Sequence, residues 1–101
     1  MLGTRKSIVG ITAHPDNAMA HYKLGSTLKA KGDLDGAIAE YRAALRLRPD
    51  NAMAHCDLGH VLWTKGDRMA AFKEFRTAHR LAPNEPIISQ IYYNLMLLLE
   101  R

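Results

Sequence analysis

The chain has 101 residues, of which 48% are hydrophobic and 24% charged, and 14 Lys and Arg against 10 Asp and Glu give it a net charge of +4. That length excludes a second large domain, and the composition is that of an ordered globular chain. The positive balance permits acidic partners but falls short of the dense basic patches of dedicated nucleic-acid binders.

In chain order, Arg5 and Lys6 are followed only by the brief apolar stretch Ile8 to Ile11, too short for the core of a secretory signal. Residues 1–14 do not match the second helix of a preceding repeat, and a disordered arm, an engineered leader and a capping element all fit them. Cys56 is the only cysteine and cannot close an intrachain disulfide, and there is no N-x-S/T site. A reducing compartment is therefore expected, the cytoplasm by default. The longest apolar run, Leu95 to Leu99, is far below the roughly 20 residues that span a bilayer.

From residue 15 an internal repeat organises the chain. Residues 15–48 laid over 49–82 match without gaps at a period of 34, with 19 identical positions. Pro15 to His21 recurs letter for letter as Pro49 to His55, Lys31-Gly32-Asp33 recurs as Lys65-Gly66-Asp67, and a third copy starts at Pro83-Asn84. Each period reads as two helices. Asp16/Asn17 and Asp50/Asn51 supply caps for the first helix, which carries Ala20, Leu24 and Leu28 at helical spacing. Gly32 and Gly66 suit the left-handed position that ends it. Asp33 and Asp67 cap the second helix, whose apolar face is Leu34, Ala37, Ile38, Tyr41, Ala44 and Leu45 in one copy and Ala71, Phe72, Phe75 and Ala78 in the other. Pro49 and Pro83 stop it, because proline lacks an amide hydrogen and disfavours helical geometry in the residue before it.

The spaced residues Leu24-Gly25 and Leu58-Gly59, Leu28 and Leu62, Ala37 and Ala71, Tyr41 and Phe75, Ala44 and Ala78, and Pro49 and Pro83 resemble the tetratricopeptide repeat (TPR). His21 and His55 stand where that pattern opens with a large residue, typically Trp. The resemblance implies an all-α fold of stacked antiparallel helix hairpins, a TPR-type α-solenoid. It is one domain over 15–101, with repeats at 18–51 and 52–85 and an extra C-terminal helix at 86–100. Gly25, Ala37 and Ala44, with Gly59, Ala71 and Ala78, are small where helix backbones must approach. One hairpin cannot bury its own apolar face, so hairpins stack and curve around a concave wall of first helices.

By that resemblance the wall consists of Met19, Tyr22, Lys23, Ser26, Lys29 and Ala30, then Met53, Cys56, Asp57, His60, Trp63 and Thr64, then Ile87, Gln90, Ile91, Asn94, Leu97 and Leu98. Met, Tyr and Trp mixed with a few charges suit an adaptable peptide-binding surface. Met19 and Met53 equally suit packing gaps, and Trp63 is either an anchor or a cover for its own repeat. Family members that grip acidic chaperone tails use a clamp of Lys, Asn and Arg, whereas the matching positions here are Tyr22, Ser26, Asp57, Ile87 and Ile91. Asp57 would repel a terminal carboxylate, so that ligand is rejected. The asparagine ladder of sugar-transferase repeats is replaced by Lys23, Asp57 and Ile91.

No metal or cofactor is expected: Cys56 and His60 stand four apart on one helix but have no third ligand. The matched pair His21 and His55 is read as packing copied by duplication. The absence of phosphate-cradling and zinc-protease motifs, and of any paired nucleophile and base, argues against an enzyme. Arg42, Arg46 and Arg48, with Lys73, Arg76 and Arg80, form an outer basic stripe that reads as a solvated face, without the interleaved aromatics that stack bases.

The last segment departs from the pattern. Ile87, Ile88, Ile91, Tyr92, Tyr93 and Leu95 to Leu99 place apolar groups around most of a helix whose outer side should be polar. Either a further helix covers it or another molecule does, and a symmetric dimer through Ile87, Ile91, Leu97 and Leu98 is favoured over an exposed patch. The leading functional expectation is a protein-interaction scaffold that binds a peptide or protein segment at Met19, Tyr22, Lys23, Ser26, Met53, Cys56, Asp57, His60 and Trp63. Self-assembly through the final helix is the alternative, and anion or nucleic-acid binding by the basic stripe ranks third.

Overall fold

Helix ends are set by a few residues that each satisfy orphaned backbone groups, and they divide the chain where the repeat predicts. The structure is a computed structural model that describes residues 15–99. Five helices succeed one another: α1 (Pro15–Ala30), α2 (Leu34–Leu47), α3 (Ala52–Lys65), α4 (Arg68–Leu81) and α5 (Pro86–Leu99). The expectations for residues 1–14, and for the helix running on to residue 100, lie outside the described residues. Among the described residues there is no strand, and no helix is long and apolar enough to cross a membrane.

The turn inside each hairpin is the same Schellman closure. Gly32 and Gly66 take φ of 85° and 103°. The amide of Asp33 donates to the Leu28 carbonyl at 2.9 Å and that of Asp67 to the Leu62 carbonyl at 2.9 Å. The same two aspartates then start the next helix: Asp33 accepts from the Gly36 amide at 2.9 Å and Asp67 from the Ala70 amide at 3.2 Å. Between hairpins, Arg48 and Ala82 leave helical geometry (φ −136° in both) just before Pro49 and Pro83. Asn51 caps α3 by accepting from the Ala54 amide at 3.1 Å. Its counterpart does not cap α1. That helix already includes Pro15, so Asp16 and Asn17 lie inside its first turn; proline fits there because its missing amide hydrogen would have no partner.

Each hairpin closes on an aromatic ring laid against a glycine. A Cβ on Gly25 would stand 2.8 Å from Tyr41 Cδ1, and one on Gly59 would stand 3.0 Å from Phe75 Cε1. Tyr41 and Phe75 are fully buried, with Ala37, Ala71 and Ala78 around them. Stacking one hairpin on the other buries Ile38 and Leu45 of α2 and Leu58, Val61 and Leu62 of α3, and α5 adds Ile88 and Leu95 against the α4 side. Equivalent positions differ by their place in the stack: Leu58 is 2% exposed, whereas Leu24, with no described helix before α1 to pack against, is 46% exposed.

Truncating the second ring, Phe75→Ala, is expected to cost about 3–5 kcal/mol, since it removes a buried aromatic from a close-packed site. Gly66→Ala meets open space and is expected to cost only about 1–2 kcal/mol, from left-handed strain alone. Urea unfolding midpoints of the two variants check both the magnitudes and their order.

Candidate functional site

The first helices of the two hairpins, α1 and α3, lie side by side, and polar groups from three helices meet there. The Tyr22 hydroxyl of α1 donates to Asp57 Oδ2 of α3 at 2.5 Å. Ser26 of α1 and the Tyr41 hydroxyl of α2 share a hydrogen bond of 3.0 Å, and the Tyr22 and Tyr41 rings lie 5.7 Å apart, centroid to centroid. Ser26, Lys29, Ala30, Tyr41 and Asp57 line a cleft of about 300 Å³. An ammonium, a carboxylate and the Ser26 hydroxyl around one opening, with the buried Tyr41 hydroxyl beneath Ser26, offer both donors and acceptors, the complement of a peptide backbone.

Burial shapes the ionisation of these groups. It pushes the Tyr22 phenol well above its ordinary range, the hydrogen bond to Asp57 acting in the same direction, so Tyr22 stays a neutral donor. Burial likewise raises Tyr41, with the Ser26 hydrogen bond opposing. The Cys56 thiol is pushed up to about 11 by burial and then by the Asp57 charge, which leaves it protonated and unreactive. His60 is lowered by burial, with Lys29 adding to the effect.

The expected site residues divide accordingly. Tyr22, Ser26 and Asp57 are brought together, and Lys23, Met19 and Met53 are exposed near them on α1 and α3, the two methionines at 49% and 44%. Cys56 is corrected: at 1% exposure it belongs to the core and offers a partner nothing. The four-residue spacing of Cys56 and His60 therefore presents no ligand pair. The His60 ring stands edge-on to Phe75 at 5.2 Å. Trp63 is half-buried against the core, with the Arg68 guanidinium 4.9 Å from its ring centroid. On α5, Ile91 is partly buried, while Ile87, Leu97 and Leu98 are 63%, 62% and 54% exposed.

Two participants are not apparent from the spacing of the residues. Tyr41 belongs by its spacing to the packing face of α2, yet its hydroxyl reaches the cleft. The histidines at the start of each repeat have carboxylate partners: His21 Nδ1 pairs with Glu40 at 2.6 Å and His55 Nδ1 with Glu74 at 2.7 Å. Both glutamates recur at the 34-residue period, the signal that could have found them. A larger hollow of about 710 Å³ borders α2, α3 and the turn before α4, but there Lys65 is already paired with Asp35. The basic stripe is exposed, and among the described residues none of its arginines is in an ion pair.

Two hairpins stacked in register, with a fifth helix on the last, define a helical-repeat solenoid. The family model described as TPR repeat matches residues 25–66, and the five helices are consistent with TPR repeats. A search of curated proteins finds no match.

His55 supplies a test by pH. Its Nδ1 faces Glu74 and its Nε2 donates to the Pro49 carbonyl at 2.8 Å, so only the doubly protonated ring satisfies both. The Glu74 hydrogen bond foremost, with Pro49 adding and burial opposing, raises its pKa. A raised folded-state pKa contributes stability that is complete below the unfolded value of about 6.5 and disappears as pH rises through the folded value. The stability gap between the unaltered chain and His55→Asn should therefore shrink on going from about pH 5.5 to pH 8.5. Paired urea titrations measure it, and a gap that widens contradicts the assignment.

Proposed function

We propose that the protein is a non-catalytic scaffold that holds a peptide or protein segment along the α1 and α3 face. TPR repeats generally mediate protein–protein interaction, which supports binding over catalysis. The observation that carries the reading is the cleft where Ser26 and Lys29 of α1, Tyr41 of α2 and Asp57 of α3 converge. Its hydroxyls and opposed charges match main-chain amides, and the exposed Met19 and Met53 supply adaptable apolar contact beside them. Lys23, His60 and Trp63 complete the contact set, with Trp63 binding through the ring surface that Arg68 leaves open. Tyr22 acts by holding the Asp57 carboxylate in place.

Panning a random peptide library against the purified chain tests the site. Lys29→Glu changes an exposed side chain and reverses one charge of the cleft without touching the core. Selected peptides are expected to lose affinity for it by roughly tenfold or more, the effect of one charged contact. Peptides that bind Lys29→Glu and Met53→Arg as tightly as the unaltered chain would remove this face from consideration.

A further inference from the structure

The outer face of α5 is apolar, exposed and free of charge. Ile88 and Leu95 turn into the core at 1% and 8% exposure, while Ile87, Tyr93, Leu97 and Leu98 are all more than half exposed. No Lys, Arg, Asp or Glu occurs from residue 86 to residue 99, which is true of no other described helix. Such a face on a basic chain marks a contact surface.

Its shape differs from that of the faces on which the two earlier hairpins close. Gly25 and Gly59 admit the rings of Tyr41 and Phe75 only because a Cβ there would stand 2.8 to 3.0 Å from them. The same position one period later is Tyr93, 53% exposed. A helix that laid an aromatic ring against this position, as α2 does against α1, would meet that side chain where the earlier hairpins offer only a hydrogen.

Three observations point to a second copy. Ile87, Ile91, Asn94 and Leu98 recur at spacings of four, three and four, the seam by which one helix packs along another. The polar side chains on this face, Gln90 and Asn94, are carboxamides bonded to each other, Nε2 to Oδ1 at 3.1 Å. Each carries both donors and acceptors, so an identical group satisfies what is left over. Charge is in keeping with this, because copies carrying +4 repel where the arginines of α2 and α4 face each other, whereas the α5 face opposes no like charges. We propose that α5 pairs with α5 of a second copy in an isologous dimer, leaving the cleft between α1 and α3 open to its own ligand.

The test uses the full chain. One helix per copy makes an interface near the small end of the stable range, about 1,000 Å², so dissociation is expected in roughly the micromolar range. Light scattering across a concentration series from about 5 to 500 µM should show the mass rise from 11.3 kDa to twice that value. Leu98→Glu, at a half-exposed position, should keep the circular dichroism and melting curve of a folded chain while raising the dissociation constant tenfold or more. Lys73→Glu on α4 should leave the mass curve unchanged. A mass of 11.3 kDa at every concentration overturns the proposal, and so does a dimer that survives both Leu97→Glu and Leu98→Glu.

Discussion

The approach of two helix backbones within each hairpin depends on a glycine facing an aromatic ring. With a Cβ at Gly25 or Gly59 the ring of Tyr41 or Phe75 would have to move, and both rings are already fully enclosed by alanines and by the neighbouring hairpin. Because interiors are close-packed, such a shift would pass to every layer that rests on the ring. The contact also governs the cleft. Tyr41 lies deep enough against Gly25 for its buried hydroxyl to reach Ser26 at the floor of the cleft.

The two hairpins solve that exit differently. Where the first has Ser26 over Tyr41, joined by a hydrogen bond, the second has His60 over Phe75, joined edge to face. Phenylalanine has no hydroxyl to satisfy, so an aromatic edge replaces the polar partner. Duplication has preserved the packing and allowed the surface to diverge. The result is a polar cleft lined by Ser26 and Lys29 in the first hairpin and, at the position equivalent to Lys29 in the second, half-buried Trp63 with its arginine.

Single residues serve two elements at once in the turns. Asp33 and Asp67 close one helix through their amides and open the next through their carboxylates. The side chain that opens each later repeat bonds back to the proline carbonyl before it: His55 to Pro49, and Ser89 to Pro83 at 3.0 Å. The links tie successive hairpins together through the backbone, so stacking does not rest on apolar contact alone. Losing the histidine in the third unit also loses the carboxylate pair, and the Ser89 hydroxyl oxygen accepts from His79 Nδ1 in its place.

Helix number, the turn glycines and the buried face of each helix were legible in the sequence, because each arises from local geometry repeated at 34 residues. A left-handed turn position demands glycine, and a proline ends a helix, whatever the rest of the chain does. The side chains on the open surface obey no such rule. That Tyr22 reaches Asp57, that Tyr41 contributes a hydroxyl to the cleft and that Arg68 lies over Trp63 depend on how α1, α2, α3 and α4 are set against one another. Cys56 and Leu24 show the limit most plainly. The family resemblance put the first on a binding wall and spacing put the second among the apolar positions of its helix, yet Cys56 is enclosed and Leu24 is open. A helical period says which residues share a face; only the neighbouring helix decides whether that face is covered.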